Sequence, residues 1–222
     1  MIEIPSFYQD YSARAAGDDS YTSTTRDVRR LVSELKEEDI EALVIDLRNN
    51  GGGHLSEATG LTGLFIGNGP VVQVRDSTGR LEVLDESAPK PVWDGPMGVL
   101  VNRFSASASE IFAAAIQDYG RGVVIGQQTY GKGTVQNLYP LDRYAHGADP
   151  RFGQLTLTIG KYYRVTGGST QHRGVEPDIA LPSPVDTSVV GESARPTALP
   201  WDQIRATDFS PRGYLGGAID YL

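Results

Sequence analysis

Three short segments hold residue types that could do covalent chemistry. In Phe104-Ser105-Ala106-Ser107-Ala108-Ser109-Glu110, small residues sit where a strand turns into a helix. A serine at a helix start lies beside unpaired backbone N–H groups and the positive end of the helix dipole. Both stabilise the oxyanion that forms when its hydroxyl attacks a carbonyl. The bland alternative is an N-cap, since serine is a preferred capping residue and Ser107 with Glu110 fits a capping box. Gly51-Gly52-Gly53 follows a buried strand. Unsubstituted residues there can aim N–H groups at an anion, or simply make a tight turn.

The third segment runs from Gly126 to Thr134 and carries Lys132 between Gly131 and Gly133. Gly126, Gly131 and Lys132 match the phosphate-loop pattern G-x-x-x-x-G-K, with Val44-Ile45-Asp46 as a possible magnesium-binding strand end. Gly133 then stands where a Ser or Thr must reach the ion, Thr134 comes one residue late, and Gly133-Thr134-Val135 reads as turn into strand rather than helix. A lysine entering a cleft as a general base is the other chemical reading, and a solvated lysine the bland one. The chain has three histidines, His54, His146 and His172, and no G-x-S-x-G element, so a Ser–His–Asp triad is poorly supported. Neither H-E-x-x-H nor close paired spacing suggests a metal site, and the absence of cysteine removes thiolate chemistry and disulfides.

The elements that must position these segments alternate as in an α/β domain. Val28, Leu31, Val32 and Leu35 recur at helical spacing. Residues 42–47 form a continuous apolar run of the kind buried on both faces. A helix through Leu55, Ala58, Leu61, Leu64 and Phe65 closes near Gly67, and a strand over Val71–Val74 leads to a polar hairpin around Asp76–Gly79. A second unit repeats the order, with a strand at Met97–Val101, a helix over Ser105–Tyr119 stopped by Gly120, and a strand at Val123–Ile125. Leu155, Leu157 and Ile159 alternate with threonines as in a half-buried strand that extends through Tyr162-Tyr163. The core is expected to end near Pro182, with residues 183–222 a linker or surface wrap and a tail.

Composition narrows the field. The 222 residues carry 20 Lys+Arg against 28 Asp+Glu, a net charge of −8, with 39% hydrophobic and 22% charged residues. That balance suits one globular domain and disfavours nucleic acid and anionic membrane as partners, since both need clustered cations. No apolar run of about 18 residues is present, and the start has no signal-peptide pattern. The chain reads as a fragment of a longer precursor.

Taken together, Asp46 to Gly53, Phe104 to Ala115, Gly131-Lys132-Gly133-Thr134-Val135-Gln136, Gly167-Gly168-Ser169-Thr170 and Gly174-Val175-Glu176-Pro177-Asp178-Ile179 resemble the carboxyl-terminal processing peptidases over about residues 40–182. The resemblance implies a serine–lysine dyad: Ser107 as nucleophile, Lys132 as base and Gln136 to orient the amine. A lysine base must be neutral, which desolvation in an apolar pocket promotes. The oxyanion hole would combine the Ala108 N–H with that of Gly52 or Gly53. Asp118 also falls on a position associated with activity, although helical rise sets it roughly 16 Å from Ser107, beyond direct relay. The implied fold is a crotonase- or ClpP-like spiral of strand-strand-helix units, with no cofactor or metal. Implied partners are polypeptides with apolar or unfolded C-terminal tails and a periplasmic adaptor protein. Residues 1–182 would be a catalytic core without the PDZ domain usual in the family. The alternative is a peptide-binding core that is inactive without that domain.

Overall fold

In the computed structural model, which describes residues 1–88, 90–144 and 152–213, the apolar run at residues 42–47 becomes β2 (Leu43–Asp46) inside a five-stranded parallel sheet. Its Leu43 and Ile45 side chains, on one face, are fully buried, while on the other face Val44 is half-buried and Asp46 buried. The sheet order is β1-β2-β5-β6-β9, with β1 Ile2–Glu3, β5 Met97–Val101, β6 Val123–Gly126 and β9 Ile179–Ala180. Leu43 pairs with Met97, and Gly98 with Val123.

Helices α2 (Thr24–Lys36), α3 (Leu55–Ile66) and α4 (Ala108–Asp118) supply the covering layers, preceded by the short α1 (Tyr11–Ala15). Val28 and Val32 are the buried stripe of α2, whose N-cap Ser23 accepts the Arg26 N–H. The rings of Phe65 on α3 and Phe112 on α4 meet edge to face at 5.9 Å. Because β2, β5 and β6 run parallel, their C-terminal ends share one side of the sheet. The glycine turn, the serine turn and the lysine loop all leave from that side, the usual place for ligands in such sheets.

A second, antiparallel sheet has the order β4-β3-β8-β7, with β3 Asn68–Asp76, β4 Leu81–Ser87, β7 Thr134–Pro140 and β8 Gln154–Tyr163. Two sequence expectations need adjustment. The strand at Leu155–Ile159 is not half-buried at its start: Leu155 and Leu157 are 49% and 48% exposed, because the β7–β8 hairpin extends beyond the layer that covers Tyr162 and Tyr163. Helix α4 begins at Ala108 rather than Ser105, because residues 105–107 are used as ties. Ser105 Oγ donates to Leu47 O at 2.8 Å, and the Ala106 N–H donates to Asn50 O at 3.0 Å.

Beyond β9, the chain is seated on the body. Buried Arg103 donates to Val190 O at 2.7 Å, Gln171 Nε2 donates to Leu199 O at 2.9 Å, and Phe209 packs on Tyr119 with ring centroids 5.2 Å apart. Asp202 accepts hydrogen bonds from Lys161 and Arg75. His146 and the last nine residues of the expected tail lie outside the described residues. Among the described residues, no helix is long and apolar enough to cross a membrane.

Candidate active site

Ser107 is both the N-cap of α4 and a strained residue. Its φ of 58° and ψ of −113° contrast with the extended −155° and 155° of the ordinary N-cap Ser23. A non-glycine residue held there costs about 1–3 kcal/mol and persists only when its surroundings over-determine it. They do so here. The capping-box pair of Ser107 and Glu110 is present, with the Ser107 N–H donating to Glu110 Oε2 at 2.7 Å. Ser109 Oγ donates to Asn50 O at 2.9 Å, which ties the serine turn to the glycine turn.

The glycine turn approaches Ser107 so closely that only glycine fits. A Cβ on Gly52, whose φ is 102°, would stand 2.8 Å from both Ala106 O and Ser107 Cβ. The Gly52 N–H already donates to Asn50 Oδ1 at 2.9 Å. Gly53 bridges to Phe7 and lines the same cleft as Ser107. Gly52→Ala is expected to push the serine off its turn and lower its reaction rate with a fluorophosphonate at least about 100-fold, since an ångström of misplacement costs that much. A labelling time course checks this, and an unchanged rate would show that the turn yields without moving Ser107.

Glu110 joins the serine turn to the lysine loop. Its fully buried carboxylate accepts the Gly131 N–H at 2.7 Å, the Lys132 N–H at 3.0 Å and the Thr129 hydroxyl at 2.5 Å, besides the Ser107 N–H. Burial pushes its pKa up to about 7, against the pull of these four hydrogen bonds. A second tie comes from Tyr162, whose buried hydroxyl reaches the carbonyl oxygens of Ser107, at 3.1 Å, and of Lys132.

The lysine loop continues into β7 rather than into a helix, so the phosphate-loop reading lacks the helix N-terminus it needs. Lys132 is half-buried, and its Nζ donates to Gln136 Oε1 at 3.1 Å. A register irregularity between Val135 and Gln136 marks a bulge, the kind of defect that re-aims a side chain. Among the described residues, no carboxylate forms an ion pair with Lys132. Gly53, Ser107, Ala108, Lys132, Gln136 and Tyr162 together line one cleft of about 470 Å³.

Asp118 is not in that cleft. It ends α4, where its buried carboxylate pairs with Arg164 at 2.5 Å, and burial raises its pKa against the pull of that arginine. Arg164 lies two residues after Tyr162, so the pair fixes the strand end that carries the tyrosine. Asp118→Asn is expected to destabilise the fold by about 1–3 kcal/mol, less than for a fully buried pair because the Arg164 side chain keeps 21% of its surface in water. Chemical denaturation measures this, and a change below about 1 kcal/mol would mean that the pair is not anchoring the strand. His54 lines the cleft and stacks edge-on against Tyr11 at 5.0 Å, while His172 sits at a turn with φ of 65°. Sequence reasoning saw Glu110 only as a capping partner and missed Thr129, Tyr162 and Asn50. Only the capping-box spacing gave any signal for these.

A model of peptidase family S41 matches residues 1–181. The chain is 44% identical over 225 residues to the tail-specific protease of Haemophilus influenzae, covering 100% of this chain and 30% of that protein. It is 34% identical over 165 residues to the carboxy-terminal-processing protease of Bartonella bacilliformis, covering 74% of this chain and 36% of the relative. Among solved structures, a photosystem II D1 C-terminal processing protease superposes with a TM-score of 0.65 and 28% identity over 86% of this chain and 45% of that one. The chain thus spans less than half the length of each of these proteins.

Proposed function

The chain belongs to peptidase family S41, and we propose that it is the catalytic core of a serine endopeptidase that cleaves polypeptides near their C-terminal tails. The observation that carries this reading is the shared cleft. Ser107 stands there on a strained turn at a helix N-terminus, Lys132 lines the same cleft, and the Glu110 carboxylate bonds the backbones of both. In the proposed reaction, neutral Lys132 Nζ takes the hydroxyl proton of Ser107 as Oγ attacks the scissile carbonyl carbon. The resulting oxyanion is held by the Ala108 N–H and, of the two candidate glycines, by that of Gly53, because Asn50 already occupies the N–H of Gly52. Lys132 then gives the proton to the leaving amine; a water that Lys132 deprotonates attacks the Ser107 ester, and as the acyl C–Oγ bond breaks Lys132 returns that proton to Ser107 Oγ. Gln136 orients the amine throughout. We read Asp118 as a positioning residue acting through Arg164 and Tyr162.

Helices α3 and α4, each entered from a strand of the parallel sheet, are compatible with a crotonase- or ClpP-like spiral, with residues after 182 as a seated wrap. Unfolded, apolar-ended polypeptides delivered by an adaptor protein in the periplasm are the substrates this reading implies. A second reading, a core that holds peptides without cleaving them, draws on the partial exposure of Lys132 and the exposure of Gln136, which leave the amine open to water. Incubation with reduced, unfolded casein separates the two. Cleavage by the wild-type chain that disappears in Ser107→Ala supports the peptidase, whereas equal cleavage by Ser107→Ala removes Ser107 as the nucleophile.

A further inference from the structure

The lysine loop, residues 129–133, is held from two sides. Its backbone N–H groups are spent on the body of the domain: Thr129 on Val175 O at 3.2 Å, Tyr130 on Ser105 O at 3.0 Å, Gly131 and Lys132 on the Glu110 carboxylate, and Gly133 on Gln171 Oε1 at 2.8 Å. Two of its carbonyl groups are tied instead to residues 187–199, which lie beyond the last strand of the parallel sheet. The Glu192 N–H donates to Tyr130 O at 3.0 Å. The buried guanidinium of Arg103 donates to Thr129 O and also to Val190 O and Thr187 O, so it joins the loop to the same segment.

The peptide group between Tyr130 and Gly131 is therefore clamped at both ends, by Glu192 on its oxygen and by Glu110 on its N–H. A peptide group turns as one plane, so any rotation here would break both bonds at once. Lys132 is the next residue. Gln171, fully buried, makes the equivalent connection just after it: its side chain accepts the Gly133 N–H and donates to Leu199 O at 2.9 Å and Glu192 Oε1 at 3.3 Å. Gly191 sits so close to Arg103 that a Cβ there would stand 2.0 Å from Nη2. Glu192, Arg195 and Leu199 also share with Lys132 and Gln136 a cavity of about 360 Å³, separate from the cleft that holds Ser107.

We propose that residues 187–199 are a latch that positions Lys132, with Arg103 and Gln171 as the positioning residues through which it acts. The catalytic unit then extends to residue 199. The latch stands on the loop's own hydrogen bonds, whereas the role of the positioned lysine as a base rests on the peptidase reading.

The test compares Glu192→Pro with Glu192→Ala. Both remove the same half-buried side chain, and only proline also removes the N–H that holds Tyr130 O. Proline suits the position, the first residue of a 3₁₀ turn (Glu192–Ala194) entered from Gly191 with an extended ψ of 171°. Hydrogen exchange read by mass spectrometry follows residues 129–133, and steady-state cleavage of unfolded casein gives kcat and KM. Relative to Glu192→Ala, the latch predicts exchange about tenfold faster in the loop alone and kcat about tenfold lower, with KM within about twofold. Gly191→Ala, which displaces the segment from Arg103, should show the same changes relative to wild type, and it decides the matter if the proline variant does not fold. Matching exchange in Glu192→Pro and Glu192→Ala, or matching kcat, would overturn the latch. Faster exchange spread over the whole chain would overturn it too, since that marks a general loss of stability. Loop-confined exchange in Glu192→Pro with no cleavage by the wild-type chain would uphold the latch and sink the peptidase reading instead.

Discussion

Lys132→Ala is expected to lower cleavage of unfolded casein by about 10⁴-fold or more, close to the loss in Ser107→Ala, because members of a catalytic unit are strongly non-additive. The fold should survive. The Lys132 side chain is half-buried and, among the described residues, its one polar contact is with the exposed Gln136, so truncation leaves no described buried group without a partner. The backbone ties of the loop also remain, since the Lys132 N–H still reaches Glu110 and its carbonyl still faces Tyr162. A double variant, Ser107→Ala with Lys132→Ala, should be no slower than either single one. Rates and melting temperatures of the three variants check this. Lys132→Ala with wild-type turnover would dissolve the dyad, and additive losses would mean that the two groups do not act on one proton.

Glu110→Ala is expected to have the largest structural effect of any single change in the site. It would remove the acceptor of three backbone N–H groups and one hydroxyl from a fully buried position. Each donor left unsatisfied costs about 1–3 kcal/mol, so a total on the order of 5 kcal/mol is expected, a large share of an ordinary domain's stability. Glu110→Gln keeps one acceptor oxygen and the shape, and should fall between wild type and Glu110→Ala. The carboxylate also sets a pH dependence. Its pKa in the folded chain, about 7, lies above the ordinary 4.5, so the folded state holds this proton more tightly than the unfolded state. The stabilisation it contributes is full below pH 4.5 and is lost as pH rises through about 7. The loss amounts to about 3 kcal/mol. Denaturation across that window should show the decline in wild type and its absence in Glu110→Gln. A flat wild-type profile would contradict the burial penalty assigned to this carboxylate.

Much of the parallel sheet and its helices was legible in the sequence because apolar period reports burial directly. Leu43 to Leu47 read as a strand buried on both faces, and Val28 and Val32 as the inner stripe of a helix. The exposed start of β8 misled for the same reason: Leu155 and Leu157 alternate correctly, yet 49% and 48% of their surfaces stay exposed. The serine turn and the lysine loop stood out by residue type at strand ends, while Ser107 and Lys132 were singled out as a pair by the family resemblance, and the parallel sheet explains why segments 25 positions apart share a cleft. The supporting residues did not stand out. Tyr162 looked like one more strand aromatic, and its role comes from reaching Ser107 and Lys132 across 55 and 30 positions of sequence. Gly52 and Gly53 differ by one contact, the Asn50 side chain on the Gly52 N–H, which no spacing rule encodes.

The central claim is that Ser107 and Lys132 form a working pair in this chain. Intact-mass analysis after treatment with a fluorophosphonate tests it most directly, with Ser107→Ala and Lys132→Ala treated alongside and circular dichroism confirming that all three are folded. The account predicts a single adduct on Ser107 in the wild-type chain and none in either variant. An adduct on another residue, or equal labelling of Ser107 with Lys132 removed, would contradict it.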